Sequence, residues 1–450
     1  MSKYLLVILA LSALTHFIFF GYPSETVFDE VHFGKFVSGY YTGEYYFDIH
    51  PPLGKLMIAG FAKLFDFKPE FSFAEIGEEF PDNKYLALRF LPALAGTLLP
   101  LVIFLLILEL GLSRIAAFAG ALLIVFDNAL LTQSRLILLD PFLLLFGFTS
   151  LLFYFKYRRS LLAIRYWLLA AVFGGLAISI KWTGLTFLAL PLIMETYGSV
   201  IKRSYEPFIK HLLILSLVPL MIYFSIFALH FALLPKPGPG DAFMKPGFRE
   251  NNVAKNILDL NQEMYKSNQR LTATHPYSSR WYTWPLVTRP IFYWVDSTSS
   301  PQIKDNPSVN SGQAARIYFL GNPVIWWSST IAIILALLSI IRNTKYEIRN
   351  TIIPVLLGGY FLNLLPFIGV KRVMFLYHYL TALIFAILIL VYLIEKTGST
   401  SLTARKNRRK IFTGLIIASI AAFLFFSPLS YGLPLSQKAY DARVWFVNWR

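Results

Sequence analysis

Two adjacent carboxylates, Asp29 and Glu30, lie just after the first apolar run of the sequence. A carboxylate in such a place can act as a general base that takes the proton of a hydroxyl group, which is a weak nucleophile at neutral pH. Adjacent side chains point in different directions, so we do not expect the pair to act as two equivalent carboxylates. We predict that Asp29 is the catalytic base and that Glu30 positions the acceptor or the base. The alternative for the pair is a solvated helix cap.

A group of cations lies near the outer ends of the apolar runs, namely Arg89, Arg135, Lys181 and Arg372. Ionisable residues at membrane depth are costly unless they face a polar cavity, and cations are disfavoured in short outer turns. An anionic ligand would explain them, so we predict that these four residues bind a phosphate group, the arginines through bidentate contacts. Two alternatives remain for any one of them: the side chain snorkels to the headgroups, or it forms an interhelical ion pair. For Arg135 the candidate partners are Asp140 and Asp127.

Three further residues, His50, Asp140 and His378, are predicted to contact substrate because they lie on the same side as the cations. The alternatives are an ordered turn for His50, which precedes two prolines, and a polar contact with a neighbouring span for His378. Asp29, Glu30 and Asp140 lack the clustered spacing of a metal site, so we expect no divalent metal and no other cofactor. No Walker A, HExxH or GxSxG motif occurs. With no cysteine, thiolate catalysis is excluded.

The elements that position these residues are transmembrane helices. Of the 450 residues, 56% are hydrophobic and only 15% charged, which is too apolar for a soluble globular protein. A helix needs ~20 apolar residues to cross a membrane, and about eleven such runs are present. Long runs without alternation exclude a β-barrel. The runs span residues 4–20, 84–108, 113–127, 136–155, 164–181, 183–200, 211–234, 322–341, 351–369, 373–394 and 411–428.

The charge pattern predicts the orientation. The net charge is +16, and the basic residues cluster at the ends of the apolar runs, for example at 156–165, 202–210, 342–349 and 396–410. The positive-inside rule then places the amino terminus in the cytoplasm and the carboxyl terminus outside. We read these charges as topology signals and expect no nucleic-acid partner. We also expect run 4–20 to be a retained first span, because no small-residue cleavage site follows it; a cleaved signal peptide is the alternative.

Two long segments, 21–83 and 235–321, are predicted to lie outside. Within the first, residues 51–65 include Lys55 and Lys63 among apolar residues, as in a helix that lies on the membrane surface. The second begins with PKPGPG and carries an aromatic cluster that favours an interfacial belt over a lid. The members of this cluster are Trp281, Tyr282, Trp284, Phe292, Tyr293 and Trp294.

The stretch FDEVHFGKFVSGYYTGEYYFDIHPPLGKLMIAG, residues 28–60, closely resembles the protein O-mannosyltransferase family. In that family an Asp-Glu pair follows the first span and an HPPLGK element follows about twenty residues later. Further resemblances occur in the same order along nearly the whole chain. They are LRFLPALAGTLLP at 88–100, DNALLTQSRLILLDPFLL at 127–144, IKWTGL at 180–185, HPYSSRWYTWPL at 275–286, GNPVIWW at 321–327 and RVMFLYHYLTAL at 372–383.

The resemblance implies an all-α polytopic membrane protein with the GT-C glycosyltransferase fold, formed by residues 1–450 as a single domain. It implies transfer of mannose from a polyprenyl-phosphate mannose to Ser or Thr hydroxyls of exported proteins, with inversion, on the external face of the cell membrane. The eukaryotic members carry a MIR domain between the seventh and eighth spans, and 235–321 is too short for one. Segment 235–321 therefore resembles that of a prokaryotic-type member, and the oligomeric state stays open.

Two rival functions remain at this point. The first keeps the lipid-phosphate sugar donor but transfers the sugar to a lipid or a cell-surface glycan. The second is an anion transporter or channel, with the cations along a pathway. Against transport, the ionisable residues lie on one side only and do not continue across the bilayer midplane.

Overall fold

The structure is a computed structural model that describes residues 1–160, 163–203, 206–248, 252–270, 274–296, 313–342, 352–396 and 402–450. It is mostly helical. The α-helices of these residues are α1 Ser2–Phe17, α2 Glu30–Thr42, α3 Leu53–Lys63, α4 Tyr85–Glu109, α5 Arg114–Val125, α6 Asn128–Ser134, α7 Asp140–Arg159, α8 Ile164–Ile178, α9 Thr186–Lys202, α10 Glu206–Leu233, α11 Val253–Arg270, α12 Pro323–Arg342, α13 Ile353–Leu362, α14 Leu380–Lys396, α15 Leu402–Tyr431 and α16 Gln437–Asp441.

Each predicted apolar run coincides with a helix or a bent helix pair, so the helical membrane architecture is confirmed. Six helical segments of the described chain are long and apolar enough to cross a membrane, and a bent pair adds a seventh. Helices α1 and α8 and the segment Ile353–Gly369 are apolar but shorter. The total of eleven spans, and the side on which each terminus lies, stay predictions.

The core is built around α14, in which nearly every residue from Leu380 to Ile394 is buried. It packs against α5, α12 and α13, while α4 packs against α1, α5 and α7. Helices α9 and α10, by contrast, bury little of their apolar surface within the chain. A helix that is apolar all round and exposes this surface is suited to contact with lipid.

Helices α5 and α6 meet at a bend of 60°. The bend is stabilised by Asp127, whose carboxylate accepts a hydrogen bond from the backbone of Leu130 at 2.9 Å and thereby caps α6. The same carboxylate accepts from the Trp326 indole at 2.8 Å and from the backbone of Asn322 at 3.1 Å. Asp127 is therefore a structural cap, and beyond the bend α6 contacts residues of segment 235–321.

The segment 21–83 forms α2 and α3, which pack against each other, and α3 also packs against α4. The helix predicted within 51–65 is present as α3. The prediction that Lys55 lies at the membrane surface is wrong, because its side chain is only 1% exposed and is paired with Asp48. Lys63, at the end of α3, is exposed as predicted.

A small antiparallel sheet, which the sequence did not predict, joins segment 235–321 to the carboxyl-terminal tail. Its strands are β1 Ile291–Val295, β2 Gln313–Phe319 and β3 Pro434–Ser436, in the order β1-β2-β3. The pairing shifts between Phe292 and Trp294, so Tyr293 is the extra residue of a β-bulge. Bulges often redirect a side chain near a functional site.

The aromatic cluster of segment 235–321 is not an interfacial belt as a whole. Trp284, Tyr293 and Trp294 are fully buried, whereas Tyr282 is 62% exposed. Buried aromatic side chains contribute packing and directed polar contacts, which a belt at the headgroups would not require. The belt interpretation is therefore wrong for these three residues.

The link between α8 and α9 depends on a close backbone approach at Gly184. A Cβ atom there would lie 2.4 Å from the carbonyl carbon of Ala177 and 2.5 Å from its oxygen. We expect Gly184→Ala to lower the free energy of unfolding by about 1–3 kcal/mol, because backbone atoms must shift. The midpoint of unfolding in detergent measures this effect. Gly198→Ala on α9 is the matched control, since nothing lies within 4 Å of its added Cβ; equal midpoints for the two variants would contradict the prediction.

Candidate active site

Asp29 lies directly before α2, at the N-cap position, but its carboxylate makes no capping hydrogen bond. The helix-cap alternative is therefore wrong for Asp29. The residue is half-buried, and the charges of Lys181, Arg372, Asp140 and Asp48 act on its carboxyl group. Burial raises the pKa of Asp29 to about 7; the Lys181 charge opposes this shift, and the two neighbouring carboxylates add to it. Asp29 has the properties of a general base near neutral pH.

The residue before Asp29 has a strained backbone. Phe28 has a φ of 50°, in the left-handed region that bulky side chains rarely adopt. Its ring stacks on Tyr293, with ring centres 3.9 Å apart, and meets the edge of Tyr377 at 6.4 Å. Such strain costs on the order of 1–3 kcal/mol and persists where the surrounding structure fixes it. The two tyrosines thus hold the backbone that presents Asp29.

Glu30 and Arg89 form a fully buried ion pair. Arg89 donates from Nε to one Glu30 oxygen at 2.8 Å and from Nη2 to the other at 2.6 Å. The remaining Arg89 donors bind the carbonyl oxygens of Gly21, Pro23 and Glu25. All five N–H groups of the guanidinium are therefore occupied within the chain.

The acceptor capacity of Glu30 is also used. Besides Arg89, its carboxylate accepts from the backbone of Val27 at 2.9 Å and of Ile137 at 2.9 Å. The predicted contact of Arg89 with phosphate is wrong in this structure, because no donor is left for it. Of the two predicted roles of Glu30, the geometry supports the positioning of the base, since the carboxylate faces Arg89 and the backbone.

Lys181 is held by a chain of polar contacts. Its ammonium pairs with one oxygen of Asp140 at 2.8 Å, and the other oxygen accepts from Gln133 at 2.7 Å. Tyr293 in turn donates to the Gln133 amide oxygen at 2.7 Å. Asp140 thus has a partner in Lys181 and positions this cation. This chain links the bulge of β1, the end of α6, the start of α7 and the turn after α8.

Arg372 is the second cation near Asp29. Its Nη2 lies 3.3 Å from Nε2 of His378, and Nδ1 of His378 lies 2.9 Å from the carbonyl oxygen of Phe375. The His378 ring stacks between Tyr377 at 4.6 Å and Trp284 at 5.8 Å. His378 is therefore fixed beside Arg372.

His50 lies close to the same cations. Burial lowers the pKa of His50 well below its usual value, and the charges of Lys181 and Arg372 lower it further. The imidazole is therefore neutral at pH 7 and is suited to hydrogen bonding with a substrate. The structure thus brings together Asp29, His50, Asp140, Lys181, Arg372 and His378 of the predicted set.

Arg135 makes its contacts elsewhere. It donates to the carbonyl oxygens of Phe19 and Ser430, at the ends of α1 and α15, and lies over the Tyr431 ring at 4.6 Å. The alternative, an ion pair of Arg135 with Asp140 or Asp127, is not formed, since Asp140 pairs with Lys181 and Asp127 caps α6. A contact between Arg135 and a phosphate group stays a prediction.

The part of the chain that the structure describes contains no group of three metal-ligating side chains. The expectation that no metal takes part stays a prediction. Sequence reasoning missed several residues of the site. These residues are Asp48, Lys55, Gln133, Tyr293 and Tyr377. For Gln133, Tyr293 and Tyr377 the reason is that their contacts join distant parts of the chain. For Asp48 and Lys55 a signal was present, since both lie within the motif region 28–60.

The geometry predicts that Glu30 acts on stability as well as activity. Glu30→Gln leaves Arg89 as a buried cation without its counter-charge, which costs roughly 3–5 kcal/mol. We expect a clear fall in the unfolding midpoint in detergent, measured beside Asp441→Asn, which removes an exposed pair with Arg450 and costs at most about 1 kcal/mol. An inactive Glu30→Gln protein with the wild-type midpoint would instead assign Glu30 to the chemistry.

Sequence comparisons identify relatives of this chain. Residues 6–235 match the family described as dolichyl-phosphate-mannose-protein mannosyltransferase, and residues 253–449 match the C-terminal four-transmembrane region of protein O-mannosyltransferase. Protein O-mannosyltransferase 1 of Drosophila melanogaster is 37% identical over 251 residues, which are 52% of this chain and 28% of the relative. The dolichyl-phosphate-mannose–protein mannosyltransferase 4 of Schizosaccharomyces pombe is 35% identical over 288 residues, 60% of this chain and 37% of the relative. The chain thus spans about a third of the length of these curated relatives.

Solved structures share the fold. A chain of the S. cerevisiae protein O-mannosyltransferase complex bound to the sugar donor matches with a TM-score of 0.89 and 19% identity, covering 100% of this chain and 92% of that one. ArnT from Cupriavidus metallidurans bound to undecaprenyl phosphate matches with a TM-score of 0.57 and 13% identity, covering 98% of this chain and 79% of that one. At these identities the likeness shows the fold alone, and it agrees with the expected GT-C architecture. Since the first family match covers residues 6–235 of the 450, the chain belongs to the dolichyl-phosphate-mannose–protein mannosyltransferase family.

Proposed function

We propose that this protein transfers mannose from a polyprenyl-phosphate mannose to Ser or Thr hydroxyls of exported proteins. The observation that carries the proposal is the position of Asp29, a carboxylate with a raised pKa that faces two cations, Lys181 and Arg372. A base beside a phosphate-binding pair is the arrangement that glycosyl transfer from a lipid phosphate requires. The curated relatives named above are mannosyltransferases that act on proteins, which supports the same reaction here.

The reaction consists of one displacement. Asp29 takes the proton of the acceptor hydroxyl, whose oxygen bonds to the anomeric carbon of mannose as the bond from that carbon to the phosphate oxygen breaks. The bonding electrons leave on the phosphate, so polyprenyl phosphate departs with one more negative charge. A single displacement inverts the anomeric centre and requires one base but no carboxylate nucleophile.

Lys181 and Arg372 stabilise the charge that develops on the departing phosphate. Lys181 is fixed by Asp140, and Arg372 lies beside His378, so both cations are in place before the donor binds. Cations that need no rearrangement during the reaction lower the barrier more than mobile ones do. His50, which is neutral at pH 7, contributes a hydrogen bond on the acceptor side.

The acceptor class and the location belong to the same proposal. A donor site built on Asp29, Lys181 and Arg372 serves a protein acceptor or a lipid or glycan acceptor equally well, and the family match favours protein. The site lies on the side of the molecule that carries segments 21–83 and 235–321, which the charge pattern assigns to the external face of the cell membrane.

The first test is a transfer assay with purified protein in detergent. Radiolabelled mannose is supplied as polyprenyl-phosphate mannose together with a Ser/Thr-rich peptide. We expect labelled peptide with the wild type and a 10²–10⁴-fold lower rate with Asp29→Asn, because the base is lost. Asp82→Asn is the matched control, since this exposed carboxylate in the same outer segment should leave the rate unchanged. A parallel reaction in EDTA checks the prediction that no metal takes part.

The outcomes separate the alternatives. Consumption of the donor without labelled peptide would overturn the protein acceptor, and a lipid extract in place of the peptide then tests the lipid alternative. If the protein does not bind the donor at all, the cations serve another anion and the proposed function is wrong. Full activity of Asp29→Asn would reject Asp29 as the base while leaving the reaction itself in place.

The raised pKa of Asp29 predicts the pH dependence of the rate. A base acts only when deprotonated, so with a pKa of about 7 the value of kcat/KM should rise through neutral pH and fall about tenfold per unit well below it. Single-turnover rates at saturating donor, measured between pH 5 and 9 in roughly half-unit steps, check the same dependence in the complex. A rate that stays constant down to pH 5 would contradict the assignment of a raised pKa to the base.

A further inference from the structure

Lys55 is a buried cation that the reaction described above does not use. Lys55 lies in the first turn of α3, its side chain is 1% exposed, and its ammonium pairs with the carboxylate of Asp48, whose side chain is 8% exposed. The aromatic rings of Phe36 and Tyr46 lie 5.6 Å and 5.8 Å from the ammonium. A buried charge with a carboxylate partner and two ring faces has a defined position.

The pair closes a ring of contacts around the turn that carries His50. Lys55 also donates to the carbonyl oxygen of His50 at 2.9 Å, and the backbone N–H of His50 donates to Asp48 at 3.2 Å. The side chains of Asp48 and Lys55 are thus joined to both backbone polar groups of His50. Since the next two residues are prolines with restricted φ, the turn has little freedom left.

The start of α3 is itself fixed against the helices of the site. The backbone N–H of Leu53 donates to the carbonyl oxygen of Ser179 at 3.1 Å, two residues before Lys181. Gly54 lies so close to Leu139, the residue before Asp140, that an added Cβ would be 2.7 Å from its side chain. Lys55 is therefore held at a set distance from the Lys181–Asp140 pair.

Asp48 also acts on the base through space. The negative charges of Asp48 and Asp140 raise the pKa of Asp29, whereas the positive charges of Lys181 and Arg372 lower it. The hydroxyl groups of Tyr293 and Tyr377 complete the polar surroundings of Asp29. Lys55 limits the effect of Asp48, because it neutralises that carboxylate within a direct pair.

From these contacts we infer that Asp48 and Lys55 are positioning residues for the transfer reaction: the pair fixes His50 on the acceptor side and sets the charge balance at Asp29. The inference rests on the proposed function. It gives the Lys of the HPPLGK element a role in the site in place of the membrane contact that the sequence suggested. Neither residue touches the reacting atoms, so their effect passes through His50 and Asp29.

The test uses single variants in the full-length protein and measures peptide mannosylation against pH. Asp48→Asn removes a negative charge and leaves the Lys55 cation without its partner. The apparent pKa of Asp29 in the pH–rate profile should therefore fall by roughly half a unit or more. Lys55→Met leaves Asp48 uncompensated, so the base should titrate at higher pH. We expect both variants to lower kcat at the plateau, and Lys55→Arg to keep the wild-type pH profile because the charge is retained.

The matched control is the exposed pair of the same outer segment, Asp66 with Lys68, whose side chains are 72% and 54% exposed. Asp66→Asn and Lys68→Met should leave both the rate and the pH profile unchanged. Opposite shifts at Asp48 and Lys55 support the inference, because a purely structural role would lower activity or the unfolding midpoint without moving the profile. Unmoved profiles in variants that fold and retain activity overturn it.

Two further results complete the interpretation. If Asp48→Asn and Lys55→Met do not fold, Asp48→Glu and Lys55→Arg take their place. Both keep the charge, so the pH profile should stay that of the wild type while kcat falls, because the changed side-chain length displaces His50. A wild-type kcat in both variants would overturn the inference. If the wild type transfers no mannose, the proposed function fails, and this result is distinct from an unmoved pH profile in an active enzyme.

Discussion

The buried pair of Glu30 and Arg89 is the interaction on which the rest of the site depends. It joins α2 to α4, and through Ile137 and the carbonyl oxygens of residues 21–25 it also fixes the approach to α7 and the start of the outer segment. Two charges removed from water are tolerated only when their hydrogen-bonding capacity is satisfied, and here both are. Because Glu30 is held by Arg89 and by backbone N–H groups, Asp29 beside it has a set position, although none of the described residues donates to its own carboxylate.

The chemical difference between Asp29 and its neighbours lies in their partners. Glu30, Asp48 and Asp140 are each paired with a cation, namely Arg89, Lys55 and Lys181. Among the described residues, no hydrogen-bond donor contacts the Asp29 carboxylate. Burial therefore raises the pKa of Asp29 without a hydrogen bond that would lower it again. A carboxylate that is stabilised by hydrogen bonds is a poor base, and one that is desolvated is a better one. The paired carboxylates thus provide structure, while the unpaired one is available for proton transfer.

The sequence predicted what is encoded locally. Runs of ~20 apolar residues specify helices, and charges at their outer ends indicated Asp29, Lys181 and Arg372 correctly as neighbours. The sequence did not reveal that Arg89 is paired with Glu30. The two residues lie 59 positions apart, and the local sequence around an arginine does not show whether its side chain has a partner. The bulge at Tyr293 and its bond to Gln133, 160 positions away, are equally invisible in local patterns. Lys55 was misjudged although its partner Asp48 lies only seven positions away, because a cation among apolar residues has the same local pattern whether it faces headgroups or a buried carboxylate.

The irregular backbone of this protein coincides with its site, and bilayer physics gives a reason. Backbone that is not helical exposes N–H and C=O groups, which a membrane protein tolerates only where they are paired within the protein or line a polar cavity. Asp29 precedes α2, Asp140 begins α7, Lys181 lies in the extended link before α9, and Tyr293 is the bulged residue of β1. Residues at such breaks can direct their side chains away from the packing stripe of a helix. These non-helical positions therefore supply the polar, convergent groups that the proposed phosphate ligand and proton acceptor require.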